Sequence, residues 1–154
     1  MATRTRQNAL TIRAATERDL EEVATIERSV FNDPWSRRSF SALVGEGHVV
    51  FLVATSDNGV VGYAIVIVSG AECELANLAV TRLMQRQGLG ARLLAESMDR
   101  ARERGGREMF LEVRASNAAA IQLYSSAGFQ AVGRRVRYYA RPIEDAIVMK
   151  AALQ

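Results

Sequence analysis

QRQGLG (residues 85–90) lies between a strand-like apolar run, ELANLAV (74–80), and a helix-like run, ARLLAESMDRARER (91–104). A strand that feeds a glycine turn into a helix start is a geometry that binds anions. The first N–H groups of the helix have no intrahelical partner, and the helix dipole adds positive potential there. The expected cradle runs from Arg86 through Gln87, Gly88, Leu89 and Gly90 to Ala91. Its two glycines let a phosphate approach the backbone with no Cβ in the way. The turn is not a dinucleotide fingerprint, because Leu93 stands where the third glycine of G-x-G-x-x-G would fall. Nor is it a triphosphate loop, because no Gly-Lys-Ser/Thr follows.

Outward from this turn, strand and helix patterns alternate. LTIRAAT (10–16) reads as a strand. Thr16 is expected to cap ERDLEEVATIERSVF (17–31), whose first turn is rich in acids. There Leu20, Val23, Ala24, Glu27 and Val30 keep helical spacing with one polar break. NDPW (32–35) ends that helix, and Ser36 caps a short one, RRSFSALVGE (37–46). HVVFLVATS (48–56) and VVGYAIVIVS (60–69) are strands joined by a hairpin turn at DNG (57–59), and ECELANLAV (72–80) is a fourth strand. After the glycine turn, a long helix sets Leu89, Leu93, Leu94, Met98 and Ala101 on one face and stops at Gly105-Gly106. EMFLEVRA (108–115) is a strand. SNAAAIQLYSSAGF (116–129) is a helix capped by Ser116 and ended by Gly128. QAVGRRVRYYA (130–140) and EDAIVMKAAL (144–153) close as a hairpin. The pattern predicts a single α/β domain over residues 1–154, with 1–9 a flexible extension. Its core is a mixed sheet of about seven strands flanked by about four helices. The fourth and fifth strands are joined through a helix and should run parallel.

Composition narrows the function. A chain of 154 residues suits one domain with a real core. It has no apolar run long enough for a membrane helix, and MATRTRQNAL lacks the apolar segment of a secretory signal. Cys73 is the only cysteine and His48 the only histidine, so neither an intramolecular disulfide nor a protein-made metal site is expected. A cytoplasmic enzyme fits these facts. The net charge of +3 is modest. From Val113 to Ile143 every charged residue is an arginine, namely 114, 134, 135, 137 and 141. Such a run is either a solvated hairpin face or a rim that attracts an acidic ligand or RNA; stable nucleic-acid binding is not expected.

QRQGLGARLL after NLAV resembles the acetyl-CoA loop of the GCN5-related N-acetyltransferase (GNAT) superfamily, Q/R-x-x-G-x-G/A. The order of elements from about residue 10 to 152 is similar as well. LEVRASNAAAIQLYSSAGF (111–129), together with DPWS (33–36) and RRVRYYARPIEDAIVMKAAL (134–153), is similar more narrowly to the ribosomal-protein alanine N-acetyltransferase (RimI) family. The resemblance implies a GNAT fold in which strands four and five splay apart. It implies acetyl-CoA as donor and direct transfer to the α-amino group of an N-terminal alanine, that of the eighteenth small-subunit ribosomal protein. It further implies that main-chain groups of Leu78, Ala79 and Val80 hold the pantetheine arm and thioester oxygen, and that Asn117 supports that arm. Unpaired N–H groups there suit an oxyanion. A monomer or weak dimer is expected.

Glu112 stands between Leu111 and Val113 in a strand expected to be largely buried, where a carboxylate is costly unless it has a partner or a purpose. Arg114, two residues on, offers an ion pair. The functional reading is a general base. An α-amino group of pKa about 8 is roughly one-tenth neutral at pH 7, whereas a lysine is less than about one-thousandth neutral, so a modest base suffices for an N-terminus. Tyr124 is either a core tyrosine or, where the family places its tyrosine, the acid for the departing thiolate. Trp35, Tyr138 and Tyr139 are candidate walls of a peptide groove, or core packing. Asp33 stands before Pro34 where family members often carry an aromatic residue. Cys73 and His48 are expected to be a buried thiol and a surface imidazole. Two other functions stay open: the same fold acting on another amine (a different N-terminus, a lysine, a polyamine or a drug), and a noncatalytic CoA-sensing or RNA-associated module.

Overall fold

A computed structural model describes residues 9–154, so residues 1–8 of the expected N-terminal extension lie outside the described residues. The strands are β1 (Thr11–Ala14), β2 (Val49–Ser56), β3 (Gly59–Ser69), β4 (Glu72–Val80), β5 (Glu108–Arg114), β6 (Gln130–Ala140) and β7 (Ile143–Ala152). The α-helices are α1 (Leu20–Val30), α2 (Arg37–Ser41), α3 (Leu89–Glu103) and α4 (Ala118–Ser126). One seven-stranded sheet forms in the order β1-β2-β3-β4-β5-β7-β6, antiparallel except for the parallel pair β4–β5. The expected mixed sheet and parallel pair are both present. Among the described residues no helix is long and apolar enough to cross a membrane.

Two cores flank the sheet. Leu20, Val23, Ala24 and Ile26 of α1 and Phe40 of α2 pack on Phe51, Val53, Tyr63 and Ile65. Phe40 is fully enclosed; its ring centroid lies 5.5 Å from that of Trp35 and 5.6 Å from that of Tyr63. On the opposite face, Leu89, Leu93, Leu94 and Ala101 of α3 and Tyr124 of α4 pack on Leu52, Val66, Met109 and Leu111. Covered on both sides, β2 and β3 are apolar nearly throughout, while β5 alternates: Met109, Leu111 and Val113 are buried and Glu112 turns to the α1 face.

Three helix boundaries differ from expectation. Thr16 caps a short 3₁₀ turn (Glu17–Asp19), and its N–H donates to Asp19 at 2.8 Å, so the α-helix proper begins at Leu20. Ser36 caps α2 as expected, accepting from the Ser39 N–H at 3.2 Å, but regular helix ends at Ser41, ahead of Gly45 with φ +79°. Asn117, not Ser116, caps α4: its Oδ1 accepts from the Ala120 N–H at 3.1 Å, while the Ser116 N–H is taken by Glu144 at 2.7 Å. At the far end of α4 the N–H of Phe129 returns to the Tyr124 carbonyl and that of Gly128 to the Ser125 carbonyl. This is a Schellman stop, with Gly128 left-handed at φ +99°.

The opening that positions the site comes from a register change. β4 and β5 pair only at Glu72/Glu108, Cys73/Met109 and Glu74/Phe110. One extra residue, Ala76, is then inserted in β4 opposite β3, between the pairs Val66/Leu75 and Ile65/Asn77. Such a bulge bends its strand and increases its twist. Beyond it β4 stays on β3 while β5 follows β7, and the two strands diverge.

Candidate active site

The QRQGLG turn, where an anion cradle is expected, leads directly into α3. Arg86 and Gly88 are both left-handed, at φ +64° and +80°, on either side of Gln87. Such alternation turns successive N–H groups toward one concave side. Gly88 is the N-cap of α3, and Arg86, Gln87, Gly88 and Ala91 are exposed. The side chain of Leu89 is buried in the core, which leaves only its main chain to face a ligand. A Cβ on Gly90 would meet only Leu123 Cδ2 at 3.5 Å, an ordinary contact, and one on Gly88 would meet nothing within 4 Å. Space above the turn is therefore open on the ligand side. Gly88 is needed for its positive φ.

The splay exposes main chain selectively. The Thr81 N–H bonds to the Val61 carbonyl, and in an antiparallel ladder the bonded pairs alternate. Tyr63/Ala79 is therefore a bonded pair, whereas Ala64/Leu78 and Gly62/Val80 are not. The N–H and C=O groups of Leu78 and Val80 consequently point away from β3, into the opening. Those of Ala79 are committed to β3, so of the three residues expected to present main chain here, Ala79 does not. The Val80 carbonyl accepts from Gln85 Nε2 at 3.1 Å, and the Leu78 N–H donates to Asn77 Oδ1 at 3.1 Å.

Glu112 lies on the α1 face beside this opening, its side chain 23% exposed. Its partner is Arg135 of β6, at 2.6 Å, and not Arg114 as sequence proximity suggested. Arg114 instead binds Glu144 at 3.4 Å and the carbonyls of Arg141 and Pro142, holding the turn between β6 and β7. The two arginines also cover the tyrosine pair: Arg114 lies 4.3 Å from the Tyr139 ring centroid and Arg135 4.7 Å from that of Tyr138. Tyr138 and Tyr139 pack edge to face at 5.1 Å. Hydrogen bonding to the Glu112 carboxylate pushes the Tyr138 phenol up, and burial, followed by the Glu112 charge, pushes Tyr139 up to about 12. A cleft of about 250 Å³ opens next to Glu112, walled by Ile67, Glu74, Phe110 and Val148.

Tyr124 approaches from the other face of the sheet. It is buried and packs edge to face on Phe129 at 5.9 Å, across the Schellman stop. Its hydroxyl makes no hydrogen bond among the described residues, yet it is not sealed from solvent. Burial, with a smaller contribution from Tyr139, raises its pKa to about 12. The structure thus brings Glu112, Tyr138 and Tyr139 together through Arg135, while Tyr124 lies on the opposite face and is linked to them by the charge of Tyr139.

Other candidates fall elsewhere. Trp35 is half-buried and packs on Phe40, inside the α1–α2 core rather than beside the tyrosine pair. Its loop still bounds the site, because Asn32 Nδ2 reaches the Arg141 carbonyl and Asp33 pairs with Arg141 at 3.7 Å. Asn117 Oδ1 is spent on its helix cap. Cys73 is buried, its thiol pushed up by burial, and His48 is exposed. No cluster of metal-ligating side chains occurs among the described residues. Sequence reasoning missed one buried cluster, Glu27 with Tyr63 and Asn77. The polar break in the apolar stripe of α1 was its only local signal.

Known proteins agree with this geometry. The model of the acetyltransferase (GNAT) family matches residues 20–129. The [ribosomal protein bS18]-alanine N-acetyltransferase of Escherichia coli K12 is 40% identical over 141 residues, covering 90% of this chain and 95% of that protein. The N-alpha-acetyltransferase RimI of Mycobacterium tuberculosis is 38% identical over 147 residues, covering 92% and 91%. The crystal structure of the Escherichia coli ribosomal-protein-S18-alanine N-acetyltransferase superposes with a TM-score of 0.87 at 38% identity, covering 95% of each chain. With the splay, the glycine turn and the flanking carboxylate in place, these matches make the chain a member of the GNAT acetyltransferase family and, within it, of the ribosomal-protein alanine N-acetyltransferases.

Proposed function

We propose that this N-acetyltransferase acts in the cytoplasm on the α-amino group of an N-terminal alanine, that of ribosomal protein bS18, with acetyl-CoA as donor. The observation that carries the reading is the splay itself: main-chain groups of Leu78 and Val80 open into it, with Glu112 on one face and Tyr124 on the other. The residues fit the donor. A pyrophosphate suits the N–H groups of the turn from Arg86 to Ala91 and the start of α3. An extended pantetheine arm suits strand main chain left without a neighbour.

Acetyl-CoA, when bound, supplies an activated acyl thioester. Glu112 takes a proton from the incoming ammonium, directly or through one water. Its ion pair with Arg135 is half-exposed on the arginine side, and such pairs contribute little, so an acceptor ammonium can replace the guanidinium. The Leu78 N–H, whose peptide plane is oriented by its bond to Asn77 Oδ1, shares its proton with the carbonyl oxygen as charge develops there. Tyr124 serves better as a hydrogen-bond donor to the departing sulfur than as a full proton source. A thiol of pKa about 8.5 leaves an anion less basic than a phenolate whose pKa burial has raised. Tyr138 and Tyr139 wall the acceptor side, and the amide nitrogen of Asn117 remains available to the pantetheine arm.

The test is acetylation of a peptide panel: the bS18 N-terminal peptide, its N-terminally blocked form containing lysine, peptides with other first residues, and a polyamine. Mass spectrometry should find one acetyl group on the unblocked alanine peptide and none on the blocked one. Preferential modification of lysine or polyamine would overturn the acceptor assignment. Release of no CoA with any amine would overturn the enzyme reading.

A further inference from the structure

One buried ionisable side chain has no part in that chemistry. Glu27 is 1% exposed and sits in the apolar stripe of α1. A carboxylate sealed from water is costly unless donors fill its lone pairs. Three neutral donors converge on it. The Trp35 N–H reaches Oε1 at 3.1 Å, while the Tyr63 hydroxyl and Asn77 Nδ2, the latter at 2.7 Å, reach Oε2. An apolar residue would complete the stripe without this cost. What the carboxylate adds is direction. Because Oε2 accepts from Asn77 Nδ2, the carboxamide can face only one way, with Oδ1 turned to the Leu78 N–H at 3.1 Å. That N–H belongs to the stretch of β4 main chain that faces the splay, and the bond to Oδ1 sets the tilt of its peptide plane. The other carboxylate oxygen holds the Trp35 N–H, in the loop that meets the β6–β7 turn through Asn32 and Asp33.

We propose that Glu27 is a positioning residue for acetyl transfer: through Asn77 it fixes the Leu78 main chain at the splay, and through Trp35 it fixes the loop on the acceptor side. The inference rests on the acetyltransferase reading above. Glutamine at position 27 keeps the size and packing but has one acceptor oxygen. Every orientation then sets its NH₂ against a donor, at Trp35 or at Asn77 and Tyr63. If its NH₂ faces Asn77, the carboxamide must flip and turn its own NH₂ toward the Leu78 N–H. Asn77→Ala removes the link while leaving Glu27 and the core in place.

The experiment compares the full chain with Glu27→Gln, Asn77→Ala, their double variant and Tyr63→Phe, by steady-state kinetics with acetyl-CoA and the alanine peptide and by thermal unfolding. Both single variants should fold and lose about 10-fold or more in kcat, with KM for acetyl-CoA within about threefold, as expected when an interaction that matters in the transition state is lost. The double variant should be no worse than the worse single one, because the two residues act through one chain of bonds. Tyr63→Phe removes a donor to Glu27 and the long 3.4 Å acceptor of Asn77 Nδ2, but leaves the Asn77–Glu27 and Asn77–Leu78 contacts. It should lower Tm and keep kcat within about twofold, since it costs a buried hydrogen bond and not the alignment. Wild-type kcat in both single variants overturns the proposal. So does additivity in the double variant, or a kcat loss in Tyr63→Phe equal to theirs at equal loss of Tm. Should Glu27→Gln fail to fold, Asn77→Ala decides the matter alone. An active wild type with unaffected variants sinks only this inference, whereas a wild type inactive on every amine sinks the acetyltransferase reading and this inference with it.

Discussion

At the scale of single residues, Glu112 and Tyr124 carry the chemistry and can be tested separately. Glu112→Gln should keep the donor's affinity and lower kcat at neutral pH by about 100-fold or more, the usual effect of losing a general base. That loss should shrink as pH rises and more of the acceptor amine is already neutral. A pH–rate comparison checks both, and wild-type turnover at neutral pH would leave Glu112 as nothing more than the ion-pair partner of Arg135. Tyr124→Phe keeps the ring on Phe129 and the Schellman stop, so Tm should hardly move. Turnover should still fall about 100-fold, as when one donor to a developing anion is removed. Because burial holds the phenol at about 12, it stays protonated across any working pH. An alkaline loss of activity in the neutral to mildly basic range must therefore come from another group, and the same loss should persist in the phenylalanine variant.

At the scale of elements, the starts of α3 and α4 each combine a fold role with a ligand role. Gly88 must be left-handed, whereas Gly90 has no such need, and a Cβ there would meet only Leu123 Cδ2 at an ordinary 3.5 Å. Gly90→Val should change the stability of the free protein by no more than about 1 kcal/mol, since valine is a slightly better helix residue than glycine. It should nevertheless abolish most of the acetyl-CoA-induced rise in Tm, because a β-branched side chain fills the space over the turn. An unchanged rise, read by thermal shift, would remove the turn from the donor site. For α4, Asn117→Ala should cost about 1 kcal/mol for the lost cap, and Asn117→Ser should restore most of it. A turnover defect shared by both variants would assign the amide nitrogen to the donor; a defect only in alanine would leave it a cap.

At the scale of the whole molecule, acid stability depends on the junction between β1 and the α1 layer. Arg13 grips Asp19 through two hydrogen bonds, at 2.8 and 2.9 Å, and the Thr16 N–H adds a third at 2.8 Å. The Arg13 hydrogen bonds, against the opposing effect of burial, hold the Asp19 carboxyl below its ordinary range. A carboxyl whose folded pKa is depressed contributes its full stability above the unfolded value of about 4 and loses it as pH falls through the folded value. Urea unfolding of wild type and Asp19→Asn should therefore differ by a constant amount above about pH 5, with the gap closing below about pH 4. A gap that stays constant down to strongly acid pH would mean that Asp19 gains nothing from its charge.

Local pattern alone determined the elements and their order. Apolar periods of two and 3.6, the DNG hairpin turn, the Gly105-Gly106 stop and Gly128 act within a few residues, where a single sequence contains the whole interaction. The parallel β4–β5 pair followed from the intervening helix, and the anion turn from two glycines before a helix start. Cap identity was legible only to within a residue, since Ser116 and Asn117 both suit the position and the choice fell to Glu144, 28 residues away in sequence, which claims the Ser116 N–H. Tertiary structure decided the rest. Arg135, not the nearer Arg114, reaches Glu112 because β6 lies beside β7, which pairs with β5. The splay exposes Leu78 and Val80 but not Ala79 because the bulge at Ala76 and the β3 register set which N–H groups remain free. The carboxylate of Glu27 finds its donors 8, 36 and 50 residues away. Partners at such separations are chosen by strand order and register, which arise only when all the apolar faces are buried together.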